Sequence, residues 1–371
     1  MTRSVYLDYN AGAPARPEVI DVMVETLSEA GTPSSVHACG WRARARLEHA
    51  RRAVAIAVGA EAAGVVFTSG GTEANALALR GTGRRLLVSD IEHASARQAG
   101  PAGIIPVGAD GIVDLAALDR LLAGDDSPAL VSVMLANNET GIVQPVAEVV
   151  RVAHAHGALV HCDAAQGLGR LPVFLSELGV DFLTLSAHKM GGPAGIGCLV
   201  LSKPDISLAP ILLGGGQEKS RRAGTENLAG IVGFATAATL AADEAKGGEA
   251  PARMKALRDT LEAQVADRVP EAVIVGGSSP RLCNTSCLIL PDIAAQVQVM
   301  ALDLAGVMVS AGAACSSGKV ASSQVLAAMG LGAGHADCAV RVSLGRQTGP
   351  DDIEAFLSAW GDFARGQGKT V

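Results

Sequence analysis

The chain has 371 residues, a formal net charge of -7, a hydrophobic content of 49% and an aromatic content of only 3%. This length exceeds the size at which one hydrophobic core usually stops growing, so we expect two domains. The acidic charge argues against a general nucleic-acid or membrane-surface binding protein. The composition is typical of a soluble enzyme with a core of Ala, Val, Leu and Ile.

The start of the chain and its cysteines indicate a reducing compartment. Residues 1–8 lack the apolar segment of a secretory signal, so we expect a cytoplasmic protein. The most apolar stretch, 228–242, is too short to span a bilayer and predicts a buried helix. The seven cysteines are odd in number and lack paired spacing, which favours neither a disulfide framework nor a zinc site. We expect no metal.

A glycine-rich turn at 67–75 is the first candidate binding element. It follows an apolar strand and precedes an alanine-rich helical pattern, so it places unpaired backbone N–H groups and a positive helix end against an anion. Taken alone, it is more typical of an ordinary strand-to-helix turn capped by Thr72 or Ser69, and the lysine and aspartate described below favour the binding element. No Gly-Lys-Ser or Gly-Lys-Thr follows, which excludes a Walker loop.

Two further strands end in functional groups. The apolar run at 158–162 leads to Asp163 and Gln166, and the run at 180–185 leads to His188 and Lys189. In an open α/β sheet, ligands bind beyond the carboxyl ends of the strands, so these side chains are expected to meet in one crevice. A lysine that forms a Schiff base and an aspartate that pairs with a pyridine nitrogen are the groups that pyridoxal 5'-phosphate (PLP) requires.

The order of the elements predicts an α/β protein with a smaller second domain. From about residue 17 to 244, apolar strands alternate with helical patterns, which indicates a mainly parallel sheet with helices on both faces. The polar segment 242–251 is the best hinge candidate. Beyond it, a helix at 253–268 and strands at 272–275, 285–290 and 338–343 suggest a smaller α+β domain.

Cys315 is the candidate nucleophile. It lies in 310–319, a segment of small residues that suits a mobile thiol, and Lys319 follows nearby. On these local grounds a reactive thiol and inert packing are about equally supported.

The chain resembles the cysteine desulfurases of the NifS/IscS type, which are class V, fold-type I PLP enzymes. The resemblance runs from 6–11 to 341–346 and so covers nearly the whole chain. The motifs between these ends occur in the order of the family: 33–37, 69–75, 92–93, 137–141, the Asp163 and Lys189 segments, 222–227 and 312–318.

The resemblance implies a large PLP-binding domain, 14–245, with a mainly parallel sheet of the seven-stranded type. Residues 1–13 and 251–371 would form the small α+β domain, which carries the catalytic-cysteine loop. The implied reaction converts L-cysteine to L-alanine: Lys189 holds PLP and removes the Cα proton, and the Cys315 thiolate attacks the substrate sulfur. The resulting persulfide passes to a sulfur-acceptor protein, for iron–sulfur cluster assembly or a thiolation pathway.

The resemblance also assigns the other site residues. Gly71, Thr72, Ser186 and His188 would hold the phosphate, Asp163 the pyridine nitrogen and Gln166 the phenolic oxygen. His93 would stack on the ring and shuttle a proton. Arg346, Asn138 and Asn10 are the expected substrate-binding residues. Thr225 resembles the threonine that reaches the neighbouring subunit's cofactor, which implies a homodimer.

Two segments depart from the family pattern. Residues 318–326 lack the usual Pro-Ser turn after the catalytic cysteine, and 10–14 replaces a run with two hydroxyls. The alternative functions are a related PLP enzyme (a selenocysteine lyase, a sulfinate desulfinase or an aminotransferase) and, less favoured, a non-catalytic binding protein on the same fold.

Overall fold

The computed structural model describes residues 4–312 and 322–370. Cys315 therefore lies outside the described residues. The strands of the described residues are, in chain order, β1 (Val5–Tyr6), β2 (Val65–Thr68), β3 (Arg85–Ser89), β4 (Gly103–Ile105), β5 (Ala129–Ser132), β6 (Leu159–Asp163), β7 (Phe182–Ser186), β8 (Gly197–Leu201), β9 (Val273–Ile274), β10 (Thr285–Ile289), β11 (Val307–Met308), β12 (Ser310–Ala311) and β13 (Ala339–Ser343).

The α-helices alternate with these strands. In chain order they are α1 (Pro17–Ser28), α2 (Ala38–Ala57), α3 (Gly71–Gly81), α4 (Ala94–Arg97), α5 (Leu115–Ala123), α6 (Val146–Ala155), α7 (Leu175–Leu178), α8 (Leu228–Gly247), α9 (Glu249–Arg268), α10 (Ala295–Leu304), α11 (Gln324–Ala328), α12 (Ala333–Ala336) and α13 (Pro350–Gly366).

A seven-stranded sheet forms the centre of the larger part of the molecule. Its strand order is β2-β8-β7-β6-β5-β3-β4. The pairs among β7, β6, β5, β3 and β4 are parallel, whereas β8 runs antiparallel to both of its neighbours. The predicted fold class, a mainly parallel sheet of this size in an α/β protein, is confirmed. Every residue of β7 is buried, as expected for a strand covered on both faces.

Helices cover the two faces of this sheet. The cluster on one face joins α2, α6 and α8 to the sheet, and the cluster on the other face joins α3 to it. The predicted buried helix at 228–242 is confirmed, but α8 has 20 residues rather than 15. By length and composition alone it could cross a membrane, and 61% of its apolar window is buried inside the protein.

A second core lies around a smaller four-stranded antiparallel sheet, with the order β12-β13-β10-β9. The short parallel pair β1 and β11 extends the same core, because Val5 and Val307 both belong to it. In α13, the rings of Phe356 and Trp360 stack at a centroid distance of 5.8 Å and are fully buried. The domain limits 14–245 and 251–371 remain a prediction.

The hinge candidate 242–251 remains a prediction, but the segment is not an irregular linker. Most of that segment is helical, because α8 continues to Gly247 and α9 starts at Glu249. Only Gly248 separates them, and its φ of 75° lies in the left-handed region that glycine adopts at low cost. The two long helices therefore meet at a single glycine.

Candidate active site

The carboxyl ends of β6 and β7 meet at a cavity of about 230 Å³. Asp163 is the last residue of β6, and Ser186 ends β7 immediately before the turn Ala187–Lys189. These strands are parallel neighbours, so their ends lie at the same edge of the sheet. The cavity brings together most of the residues proposed from the sequence: Asn10, Gly71, Thr72, His93, Asn138, Asp163, Gln166, Ser186, His188 and Lys189.

A helix N-terminus forms one wall of this cavity. Gly71 is the first residue of α3, and Gly70 before it has a φ of 144°, which a residue with a side chain rarely adopts. A Cβ on Gly197 would lie 2.8 Å from the Gly70 carbonyl carbon, so β8 approaches the turn closely. The first N–H groups of an 11-residue helix therefore face the cavity edge, as an anion cradle requires.

Ser186 and His188 lie beside this helix end. The Ser186 Oγ is 3.1 Å from the His188 Nδ1. Burial and the neighbouring Lys189 charge lower the pKa of His188 to about 4. His188 is therefore a neutral hydrogen-bonding group at pH 7.

The N-terminal segment holds the Lys189 amine. Its Nζ donates to the carbonyl oxygens of Asn10 at 2.6 Å and Ala11 at 3.0 Å. Gln166 donates to the same Asn10 carbonyl at 3.0 Å, and its own Oε1 accepts from Arg170. The segment after β1 thus aligns two of the residues proposed to contact the cofactor.

Asp163 accepts two hydrogen bonds from neutral groups. Its Oδ2 accepts from the Asn75 Nδ2 at 2.7 Å, and its Oδ1 accepts from the Ala165 N–H at 3.0 Å. Burial, followed by the charge of Asp163, raises the pKa of the fully buried Glu92 to about 8. Glu92 is therefore protonated at pH 7, and Asp163 is the carboxyl side chain that lines the cavity.

Asn75 and Ser95 are cavity residues that the sequence reasoning did not assign. Asn75 donates to the Ser95 Oγ at 2.9 Å, and Ser95 lies 2.8 Å from the His93 Nδ1. The signals available were the position of Asn75 four residues after Gly71 on α3 and the position of Ser95 two residues after His93. Neither spacing identifies a ligand without the fold.

The side chain of Asn10 is saturated by protein partners. Its Nδ2 donates to the Asn138 carbonyl at 3.1 Å and to the Thr285 Oγ1 at 2.9 Å, and its Oδ1 accepts from Asn284 at 3.2 Å. The substrate role proposed for this side chain would require one of these bonds to be exchanged. Its carbonyl, which binds Lys189, has the clearer function in the site.

The structure does not place Arg346 in the 230 Å³ cavity. Arg346 lines a neighbouring cavity of about 50 Å³, which shares Lys189 with the main one. Arg341 lines the main cavity instead, and it donates to Asp8 at 2.6 Å and to the Asn138 carbonyl at 3.1 Å. Both arginines have a buried Nε that finds no partner among the described residues.

Thr225 also lies apart from the main cavity. It lines a separate cavity of about 230 Å³ together with Ser69 and Arg222. Arg222 donates to Glu73 at 2.8 Å, and Glu73 accepts from the Ser69 N–H at 2.7 Å. The segment that carries Thr225 is thus tied to the far side of the glycine turn.

The residues that flank the segment 313–321 contact β13 and Glu139. Before it, β12 pairs with β13, with Ser310 opposite Arg341. After it, Ser323 caps α11 and donates to the Glu139 Oε2 at 2.6 Å. Burial raises the pKa of Glu139 to about 7. The N-terminal flank therefore pairs with Arg341, which lines the cavity, and the C-terminal flank contacts Glu139, the neighbour of the lining residue Asn138.

PLP fits the residues present. The cavity contains a carboxylate, a lysine amine and a helix N-terminus, which match the three polar ends of the cofactor. The Asn75 Oδ1 in its wall is buried without a partner among the described residues, so the site retains acceptor capacity. Lys189 would hold PLP covalently, Asp163 would hold its ring nitrogen, and Gly71 with Ser186 would hold its phosphate.

Comparison with known proteins agrees with this geometry. The family model of aminotransferase class-V matches residues 5–356. A cysteine desulfurase of Cereibacter sphaeroides is 43% identical over 370 residues, covering 95% of this chain and 94% of that protein. An IscS-like cysteine desulfurase of Mycobacterium tuberculosis is 36% identical over 372 residues, with 95% and 94% covered.

A solved structure is also similar to this chain over nearly its whole length. The NifS-like protein of Rickettsia africae superposes with a TM-score of 0.92 at 34% identity and covers 98% of this chain and 100% of that one. The fold and cavity define a fold-type I, PLP-dependent enzyme. The chain belongs to the aminotransferase class-V family, as the motifs predicted.

Proposed function

We propose that this protein is a cysteine desulfurase, which removes sulfur from L-cysteine and releases L-alanine. The observation that carries the proposal is the single cavity that joins Lys189, Asp163 and the N-terminus of α3. It is supported by relatives that are cysteine desulfurases and align over nearly their whole length. The site residues proposed from the sequence keep their roles within this proposal.

Each cavity residue has a separate task. Bound PLP supplies an electron-withdrawing ring that takes up the electron pair left when the substrate Cα loses its proton. The Lys189 amine accepts that proton, and the Asp163 carboxylate keeps the positive charge on the ring nitrogen. Asn138 and Arg346 orient the substrate carboxylate through amide and guanidinium donors. His188 and Ser186 bind phosphate oxygens beside the helix end.

Cys315 carries out the sulfur step. Its thiolate attacks the substrate Sγ, so that a new S–S bond forms as the Cβ–S bond breaks. The remaining three-carbon fragment is reprotonated and leaves as L-alanine. The persulfide sulfur on Cys315 then passes to an acceptor thiol of a second protein, and we propose an iron–sulfur scaffold or a thiolation factor in the cytoplasm.

The proposal is tested by absorbance spectra of the purified protein before and after L-cysteine is added, with alanine and sulfide quantified. We expect a visible cofactor band that responds to cysteine, and products that disappear in Cys315→Ala. Cys39→Ala is the matched control, because Cys39 lies on α2, outside the cavity, and should leave product formation unchanged. A responsive band without alanine, or a fully active Cys315→Ala, would assign the enzyme to another substrate. Absence of the band would reject the cofactor.

We propose further that the protein acts as a homodimer with shared active sites. Thr225 lies outside the main cavity, so it would serve a site other than that of its own chain. Several apolar side chains are exposed and available for an interface: Ile20, Val24, Leu27, Trp41 and Leu213.

Subunit complementation tests the shared site. A Lys189→Ala chain and a Thr225→Ala chain are each expected to be impaired alone. In a mixed dimer, one site contains an intact Lys189 from one chain and an intact Thr225 from the other. We expect mixing to restore activity, with light scattering confirming the dimer. No recovery from a verified mixed dimer would mean that Thr225 serves its own chain.

A further inference from the structure

A chain of hydrogen bonds connects two residues of the cavity wall, Asp163 and His93. It runs from the Asp163 Oδ2 to the Asn75 Nδ2 (2.7 Å), from there to the Ser95 Oγ (2.9 Å), and on to the His93 Nδ1 (2.8 Å). All four residues line the same cavity. Asn75 is 1% exposed, so water does not compete for its amide.

One backbone contact determines which group donates in the hydrogen bonds at His93 and Ser95. The Ser95 backbone N–H is 3.2 Å from the His93 Nδ1. A backbone N–H can only donate, so the Nδ1 must be an unprotonated acceptor. The nearby Ser95 hydroxyl must then also donate to the Nδ1, and its oxygen accepts the hydrogen of Asn75. A neutral imidazole with an unprotonated Nδ1 carries its proton on Nε2.

The orientation of the Asn75 amide is fixed by the same logic. In the observed orientation its two amide hydrogens go to the Asp163 carboxylate and to the Ser95 hydroxyl. A flipped amide would place its oxygen 2.7 Å from a carboxylate oxygen, where both atoms are acceptors. This orientation costs desolvation free energy, because it leaves the Asn75 Oδ1 buried and without a partner among the described residues.

We propose that Asn75 and Ser95 are positioning residues that hold His93 as the neutral imidazole protonated on Nε2 and connect it to the Asp163 carboxylate. His93 is then presented to the cavity as a hydrogen-bond donor. Lys189 is left as the group that accepts the substrate proton. The catalytic consequence rests on the proposed desulfurase function, whereas the hydrogen-bond chain itself does not.

Nitrogen NMR of the apoprotein tests the chain without any turnover. The chain contains eight histidines, so the His93 signals are assigned by their loss in His93→Gln. Long-range proton–nitrogen spectra distinguish a protonated ring nitrogen from an unprotonated one. We expect an unprotonated Nδ1 in the native protein, and a shift of that resonance in Ser95→Ala, where the hydroxyl donor is removed. A protonated Nδ1, or a resonance unmoved by Ser95→Ala, would overturn the proposal.

Asn75→Ala provides a more stringent test, because the proposed chain connects Asn75 to His93 only through Ser95. We expect this variant to move the His93 Nδ1 resonance in the native background and to leave it in place in the Ser95→Ala background. Equal shifts in both backgrounds would mean a general disturbance of the fold and would contradict a relay through Ser95. If Asn75→Ala does not fold, Ser95→Ala decides the question alone.

Kinetics then measure the catalytic consequence. Loss of one neutral hydrogen bond should lower kcat of Ser95→Ala about 3- to 10-fold, with KM for L-cysteine changed less than about 2-fold. Ser286→Ala is the matched control, since this buried serine also donates to a side chain, Glu262 at 2.6 Å, but lies outside the cavity. An unchanged kcat beside the expected NMR shift would reject the catalytic role. If no variant turns over cysteine, the proposed function fails while the NMR result still stands.

Discussion

The buried ion pair between Glu218 and Arg51 should be the most sensitive electrostatic contact outside the cavity. Two guanidinium nitrogens donate to the carboxylate at 2.7 and 2.8 Å, and the Phe67 N–H donates to it at 2.9 Å. The side chains of Arg51 and Glu218 are only 7% and 2% exposed. Glu218 also has a φ of 45°, and it precedes the segment that carries Thr225.

Glu218→Gln keeps the shape of the side chain but removes the buried carboxylate from Arg51. Among the described residues, the buried guanidinium is then left with one ionic partner, the partly exposed Glu48 carboxylate at 3.2 Å. Breaking a buried pair on one side costs about 3–5 kcal/mol in the free energy of unfolding. For a chain of 371 residues, this corresponds to a decrease in Tm of about 4–6 °C. Scanning calorimetry of both proteins under identical conditions measures it.

The matched control is Glu354→Gln. Glu354 also accepts two hydrogen bonds from one arginine, Arg268, at 2.8 and 2.9 Å, but these side chains are 57% and 32% exposed. A solvent-exposed pair contributes little to stability, so its loss should lower Tm much less than the loss of the buried pair does. If Glu218→Gln costs no more than Glu354→Gln, the reasoning from burial is refuted.

Three further predictions concern the site itself. Because the pKa of Glu92 is raised to about 8, the folded protein retains a proton that the unfolded chain loses above its usual pKa, and Glu92 lowers stability increasingly as pH rises toward 8. The Tm of Glu92→Gln should therefore rise relative to the Tm of the native protein as the pH increases from about 5 to 8. Parallel curves of Tm against pH for the two proteins would contradict this. Gly70→Ala, at a φ of 144°, should weaken PLP binding by at least about 10-fold in a titration, while Gly332→Ala, whose Cβ meets nothing within 4 Å, should not. If Arg346 binds the substrate carboxylate as proposed, Arg346→Lys should raise KM for L-cysteine by about 10-fold with Tm unchanged, because a lysine lacks the bidentate guanidinium fork. Arg341→Lys should lower Tm, because Arg341 is buried in an ion pair. If Arg341→Lys instead raised KM and Arg346→Lys lowered Tm, Arg341 would be the substrate-binding arginine and Arg346 the structural one.

The sequence predicts the elements of this site better than their directions. Apolar runs that end in Asp163 and Lys189 identify β6, β7 and the edge where they meet. The apolar sequence of β8 does not predict its antiparallel direction. A strand that is buried on both faces is a continuous apolar run whichever way it runs in the sheet. The polar, alanine-rich sequence at 242–251 indicated a hinge but not its helical conformation, because such a sequence is also good helix sequence and only Gly248 interrupts it.

Hydrogen-bond partners distant in sequence explain what sequence reasoning missed. Asn75 and Asp163 are 88 residues apart, and nothing in either motif refers to the other. Family resemblance names Arg346 and Thr225, but it does not reveal that Arg346 lies in an adjoining cavity or that Thr225 lies behind the glycine turn. Motifs identify which residues matter to a family. The fold decides which of them share a surface.

The position of the Lys189 amine depends on packing between the two sheets. The Asn10 carbonyl accepts from Lys189, while the Asn10 amide donates to Thr285 on β10 of the smaller sheet. Asn10 is also anchored through its backbone N–H, which donates to the Ser343 Oγ at 3.0 Å. A displacement of the smaller sheet would therefore move the acceptor of the lysine amine. The core of the small sheet thus contributes to the proposed proton transfer, although none of its buried apolar residues lines the cavity.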